Sequence, residues 1–151
     1  MDFAILEPVQ HGTSKQNITF YYHRLPCVHK DDYYGFTAHW HTEYEIIYVY
    51  QGPASFTLNG VLQRVESGQA LFVNKKVIHA AIPPSNSVQY VCVTFGEQFL
   101  FSSTLDVLYE KYFFPLHVEY KEMPSFLEGN CNWQKEMLKV IQKLCMSGLK
   151  K

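Results

Sequence analysis

The sequence predicts an all-β domain, a sandwich or barrel of short strands, with helices appended at its C-terminal end. Three observations point there. Eleven Tyr, 11 Phe and 2 Trp make the chain 16% aromatic, and aromatic side chains favour pleated, half-buried surfaces. Runs rich in β-branched and aromatic residues recur between residues 17 and 95, with Gly, Pro and Asn between them. After Gly96 the apolar residues recur at intervals of three and four, which is the period of a helix. A length of 151 residues suits one folded unit with one full core. With 47% hydrophobic and 18% charged residues the chain is not intrinsically disordered. A net charge of -1 argues against this segment gripping a phosphate backbone by itself.

The elements follow in order. Residues 1–17 are mixed and read as an arm or loop. Asn17 to Tyr22 (NITFYY) reads as the first strand, broken by Pro26 and Lys30-Asp31-Asp32. Thr37 to Tyr50 reads as one long strand, closed by the turn residues Gln51-Gly52-Pro53. Ala54–Leu58 and Val61–Val65 flank Asn59-Gly60, a strong hairpin signal. Gly68 turns into Gln69–Asn74, and Pro83-Pro84-Ser85-Asn86 precedes Ser87–Phe95. Ser102-Ser103-Thr104 predicts the cap of a helix through Lys111, with Leu105 and Leu108 on one face. Leu116 to Tyr120 is expected to return as a strand. A second helix is predicted after Asn130 or Asn132, carrying Trp133, Met137, Val140, Ile141 and Leu144, with Gly148 as its stop. Lys135, Lys139 and Lys143 on its other side read as a solvated face.

MDFAILEPVQ lacks the basic and apolar regions of a secretory signal, and no stretch approaches the roughly 20 apolar residues that span a bilayer. Cys27, Cys92, Cys131 and Cys145 form no CxxC pair and read as isolated thiols of a reducing cytosol. A cytoplasmic chain with no membrane contact is expected. No GxSxG motif or Gly-rich phosphate loop is present, and the cysteines have no nucleophile context.

Chemistry concentrates in Ala38-His39-Trp40-His41-Thr42-Glu43-Tyr44-Glu45. On a strand His39, His41, Glu43 and Glu45 would share one face, while Trp40, Thr42, Tyr44 and Ile46 would face away. Imidazoles and carboxylates on a half-buried face are costly unless they bind a metal or ligand or bond one another. His79, after Gly68 and Asn74, would complete a set of four if its strand neighbours the first. Three roles stay open. His39, His41, Glu45 and His79 suit a divalent ion such as Mn, Fe, Ni or Zn. They also suit a hydrogen-bond network, or the polar anchors of a ligand pocket inside a barrel, with Tyr90 as a further pocket candidate. By alternation Ile47 and Val49 share the His39 face, and Thr57 and Phe72 are weaker candidates on neighbouring strands.

His-x-His, a Glu four residues on, and a Gly seven further resemble the first motif of the cupin superfamily, with Gly68 and His79 placed as in the second. Tyr33, Asn74, Lys76 and Pro83 stand where those motifs usually have Gly, Pro, Gly and Asn. HWHTEYEIIYVYQG, the NG hairpin and SGQALFVNKKVIHA resemble more tightly the N-terminal effector-binding and dimerisation domain of AraC-family transcriptional regulators, from about Phe20 to Phe95.

The resemblance implies a cupin double-stranded β-helix, a jelly-roll barrel, over residues 1–100 with the N-terminal arm, and a helical dimerisation and linker segment over 101–151. It implies a non-enzymatic sensor that binds a small-molecule effector, a sugar among the candidates, and forms a homodimer through Trp133, Met137, Val140, Ile141 and Leu144. DNA contact is expected only through a C-terminal helix-turn-helix domain beyond this segment. No resident cofactor is expected, a divalent metal being the alternative. The competing reading is a metal-dependent cupin enzyme, a dioxygenase or isomerase, with the same four ligands.

Overall fold

The computed structural model describes residues 5–6, 17–25, 36–82, 84, 86–100, 107–115 and 125–147. Among them the strands are β1 (Ile5–Leu6), β2 (Ile18–Leu25), β3 (His39–Trp40), β4 (Tyr44–Gln51), β5 (Ala54–Leu58), β6 (Val61–Val65), β7 (Ala70–Val73), β8 (His79–Ile82), β9 (Val88–Phe95) and β10 (Phe126–Leu127). One long helix, α1 (Asn132–Ser147), follows. The strands form two five-stranded sheets, ordered β1-β3-β8-β5-β6 and β10-β7-β4-β9-β2. All pairings are antiparallel except that of β1 with β3. From β3 to β9 the chain passes repeatedly between the sheets, the winding of a cupin jelly-roll barrel.

Strand alternation sorts the apolar residues into two layers. Between the sheets Ile47, Val49, Phe56, Leu71, Val73 and Tyr90 form a buried core. On the outer face of the second sheet Tyr48, Val91 and Val93 pack with Ile141 and Cys145 of α1. The Tyr22 hydroxyl donates to the Cys145 carbonyl at 2.9 Å and ties the end of the helix to β2. Burial pushes the Cys145 thiol up to about 12, the inert-thiol environment that the cysteine spacing suggests.

The NG hairpin forms at the expected residues. Asn59 (φ 47°) and Gly60 (φ 80°) are both left-handed, as a two-residue turn between twisted strands requires. Asn59 also fixes the tip to the chain before β8, since its Oδ1 accepts the Ile78 N–H at 3.1 Å. Gly52 serves by close approach, because a Cβ there would lie 2.7 Å from Val49 Cγ1. The first strand extends to Leu25.

One expected strand is overturned. Thr37–Tyr50 is two strands, with His41, Thr42 and Glu43 crossing from one sheet to the other between β3 and β4. The every-other-residue run His39, His41, Glu43, Glu45 continues across this corner, so the sequence conceals it. The backbone is pinned there by the Lys76 N–H, which donates to the His41 carbonyl at 2.8 Å. The strand expected to carry His79 is β8, and it does neighbour β3, whereas β1 and β10 carried no strand signal strong enough to predict. Residues 107–115 are helical, with one wide turn at Tyr109–Phe113, and Leu108 is exposed. The cap at Ser102-Ser103-Thr104, Leu105, the strand at Leu116–Tyr120, the stop at Gly148, Tyr33 and Cys27 lie outside the described residues.

Lys76 takes a φ of 62° with its side chain exposed. The family's usual Gly at this position matches that left-handed backbone, which a Cβ disfavours by roughly 1–2 kcal/mol. Lys76→Gly is therefore expected to stabilise the domain by about 1 kcal/mol, net of the entropy glycine loses on folding. Urea denaturation of the two proteins measures it, and a destabilised variant would show that the lysine side chain contributes more than its backbone costs.

Candidate ligand and metal site

The corner between β3 and β4 brings the polar cluster together at one end of the barrel. His39 on β3 is paired in register with His79 on β8. Glu45 on β4 belongs to the opposite sheet, where it pairs with Thr94 and Val73. His41 sits in the crossing between them and is buried. The three imidazole centroids are 4.4 Å (His39–His79), 5.0 Å (His41–His79) and 5.8 Å (His39–His41) apart. Phe36 presents its ring at steep angles to His39 and His79 and shields that side.

Backbone carbonyls orient all three rings. The Nδ1–H of His39 donates to Thr37 at 2.8 Å, that of His79 to Val77 at 2.9 Å, and that of His41 to Glu43 at 3.1 Å. A carbonyl only accepts, so each ring keeps its Nδ1 proton and directs Nε2 inward. Glu45 Oε2 lies 3.2 Å from His41 Nε2 and 2.9 Å from His79 Nε2. Both His41 nitrogens thus face acceptors, the setting of an imidazolium.

Burial alone would lower the His41 pKa, but the hydrogen bond and charge of Glu45, with Glu43 beside it, raise it overall. Burial alone would raise the Glu45 carboxyl, yet His41 and His79 hold it far below the usual carboxylate range. Glu43 departs from the expected shared face. It accepts from Thr42 Oγ1 at 3.3 Å and lies 3.9 Å from His41 Nδ1, behind the ring.

A cavity of about 120 Å³ opens in front of His39, His41 and Glu45. Its other walls are Tyr21 and His23 of β2 and Cys92 and Thr94 of β9, with Phe36 at the rim. Burial lowers the His23 pKa, opposed in part by the charge of Glu45. Tyr90 lies behind His23, stacked at 4.7 Å between ring centroids, and meets Phe56 edge-on at 5.2 Å. Ile47 and Val49 are in the closed core, whereas Thr57 and Phe72 are only partly buried.

Sequence reasoning missed Tyr21, His23, Phe36, Cys92 and Thr94 as cavity residues. The alternation that places Tyr90 inward also places Cys92 and Thr94 inward, so that signal was present. Nothing in the sequence announces that β2 closes the second sheet beside β9.

One ring nitrogen from each of His39, His41 and His79 lies within 4.8 Å of the others. Two imidazole nitrogens on one tetrahedral ion, each at ~2.1 Å, are ~3.4 Å apart, so the rings would close by up to about 1.4 Å to hold one. The carbonyl-anchored Nδ1 atoms are the usual outer support of such ligands. The donor set therefore fits a divalent ion held by the three histidines with Glu45 adjacent.

A family model described as the AraC-like ligand binding domain matches residues 27–136. The chain belongs to that family. This AraC-like domain is 31% identical over 108 residues to the uncharacterized HTH-type transcriptional regulator YdeC of Bacillus subtilis (strain 168). The match covers 70% of the chain and 36% of that relative, so the chain spans about a third of the relative's length. Among solved structures, an RmlC-like cupin from Shewanella frigidimarina NCIMB 400 is similar at 22% identity and a TM-score of 0.38, covering 43% of this chain and 60% of that one. The DMSP lyase DddQ from Ruegeria pomeroyi DSS-3 is similar at 20% identity and a TM-score of 0.45, covering 54% of this chain and 39% of that one.

The buried pair in this AraC-like domain sets a pH window. The depressed Glu45 value stabilises the fold above its ordinary value of 4.5, and that contribution is lost as pH falls toward the folded value. The raised His41 value stabilises below its ordinary 6.5, and that contribution is lost as pH rises through the folded value. The pair contributes most between those ordinary values. Glu45→Gln should cost about 3 kcal/mol there and flatten the dependence of Tm on pH in chelator-treated protein. Parallel Tm–pH curves for the two proteins would rule the pair out as the cause.

Proposed function

We propose that this domain is the ligand-sensing and dimerisation part of an AraC-type DNA-binding transcriptional regulator. The single observation that carries the reading is the partly open cavity lined by His39, His41 and Glu45, in a chain of the AraC-like ligand binding family. A barrel interior with one small cavity and a few convergent polar groups is the form of a small-molecule site. On this reading residues 1–100 hold the effector, at His39, His41, Glu45 and His79 with Tyr90 behind them, and 101–151 form the dimerisation and linker segment. DNA contact belongs to a helix-turn-helix domain of the whole regulator, the kind of protein that the Bacillus subtilis relative is named as. A cytoplasmic, non-enzymatic protein follows from that role. Effector would favour one arrangement of barrel, arm and helices over another and so reposition the DNA-binding parts.

The cavity, about 120 Å³ and partly open to solvent, is small beside the roughly 300–1,000 Å³ pockets of drug-sized ligands. The second reading rests on the histidine geometry. His39, His41 and His79 would hold a divalent ion with Glu45, and such an ion would supply a Lewis acid for a ligand oxygen. A small-molecule library screened by thermal shift on chelator-treated protein separates the two. A concentration-dependent rise in Tm is the outcome expected for a sensor. One bound metal per purified chain, together with a fall in Tm on chelation and no small-molecule response, would transfer the site to the metal reading.

The dimer proposal rests on α1. Trp133, Met137 and Val140 are exposed and Leu144 is partly so, spaced as one outward stripe. Ile141 departs from its expected place in the seam: it is 3% exposed and packed on the barrel with Cys145. Neighbouring substitutions should therefore act oppositely. Val140→Asp is expected to yield a folded monomer in sedimentation velocity, and Ile141→Asp to unfold the domain. A Val140→Asp protein that still sediments as a dimer would exclude this stripe as the seam.

A further inference from the structure

One cavity wall carries a polar atom that the histidine cluster does not use. Thr94 lies on β9, whose alternation turns Tyr90 and Cys92 toward the barrel interior and Val91 and Val93 toward α1. Thr94 is 3% exposed, lines the cavity, and its Oγ1 has no hydrogen-bond partner among the described residues. A buried hydroxyl without a partner destabilises a fold, and valine would fill the same volume without that penalty. Thr94 also stands opposite Glu45 in the β4–β9 ladder, at the end of the barrel where the imidazoles converge.

The charges around the cavity constrain what could meet that hydroxyl. No Lys or Arg lines it among the described residues, and its one carboxylate, Glu45, already faces imidazoles at 3.2 and 2.9 Å. An anion would arrive with no unspent cation to receive it. An alcohol group both donates and accepts, which suits a threonine hydroxyl and imidazole nitrogens alike. The cavity of about 120 Å³ is partly open to solvent, so a short polyol fits within it and a longer one would extend outward.

We propose that Thr94 selects the effector, its hydroxyl binding an alcohol group of a small uncharged polyol whose other end faces His39 and His41 across the cavity. The inference rests on the barrel being an effector site, and it adds the selecting residue and the ligand class.

The test uses the whole chain after chelation, as wild type, Thr94→Val and Thr94→Ser, with glycerol and lactate as size-matched neutral and anionic probes. Thermal melts of the ligand-free proteins come first. Thr94→Val is expected to keep or raise Tm; a fall of several degrees would reveal a structural partner for Oγ1 and overturn the proposal. Saturation-transfer NMR titrations come next. Glycerol is expected to bind the wild type more tightly than lactate does, to lose about tenfold in Thr94→Val, and to recover in Thr94→Ser. Equal glycerol affinity in wild type and Thr94→Val, or a preference for lactate, would overturn it. If neither probe binds but another compound from the thermal screen does, the polyol assignment falls while the effector reading stands. If nothing binds at all, the effector reading falls with it.

Discussion

A buried carboxylate organises this end of the barrel. Glu45 is 3% exposed, and an ionised side chain in such a place survives only beside groups that offset its lost hydration. His41 and His79 are those groups, and they come from different parts of the chain: the crossing after β3, and the start of β8. Meeting them requires the two sheets to approach at this corner. The carbonyls of Thr37, Glu43 and Val77 then fix the rings, so a few backbone segments become a rigid frame around one charge. The same frame would suit a proton network or a metal site, since both need imidazoles whose Nε2 atoms converge.

Much of the fold was legible because strands announce themselves by alternation. The NG hairpin, the strand ending at Phe95 and the amphipathic C-terminal helix all carried their periods openly. The break at His41–Glu43 did not, because the alternation of His39, His41, Glu43 and Glu45 runs through it and only long-range pairing shows where the chain changes sheet. β10, two residues long, exists by pairing with β7 and has no local signature. His39, His41, Glu45 and His79 were found by spacing, and they do converge. The opposite wall was invisible, because Tyr21 and His23 reach the cavity only through the pairing of β2 with β9, a contact between distant parts of the chain.

Departures from a motif gain meaning once the backbone is visible. Lys76 stands where the resembled motif usually has glycine, and its backbone is left-handed and donates to the His41 carbonyl. Thr94 illustrates the converse, a residue with no motif that leaves a buried group without a hydrogen-bond partner among the described residues.

β2 is one strand thick, and its two faces do different work. Tyr21 and His23 stand on the cavity wall, while Tyr22 between them reaches out to the Cys145 carbonyl near the end of α1. A ligand that pushes on the first pair pushes on the peptide units that carry the third. The cavity wall and the tie to the outer helix are thus adjacent residues of one strand, so a change at the wall has one peptide unit to cross before it meets the helix.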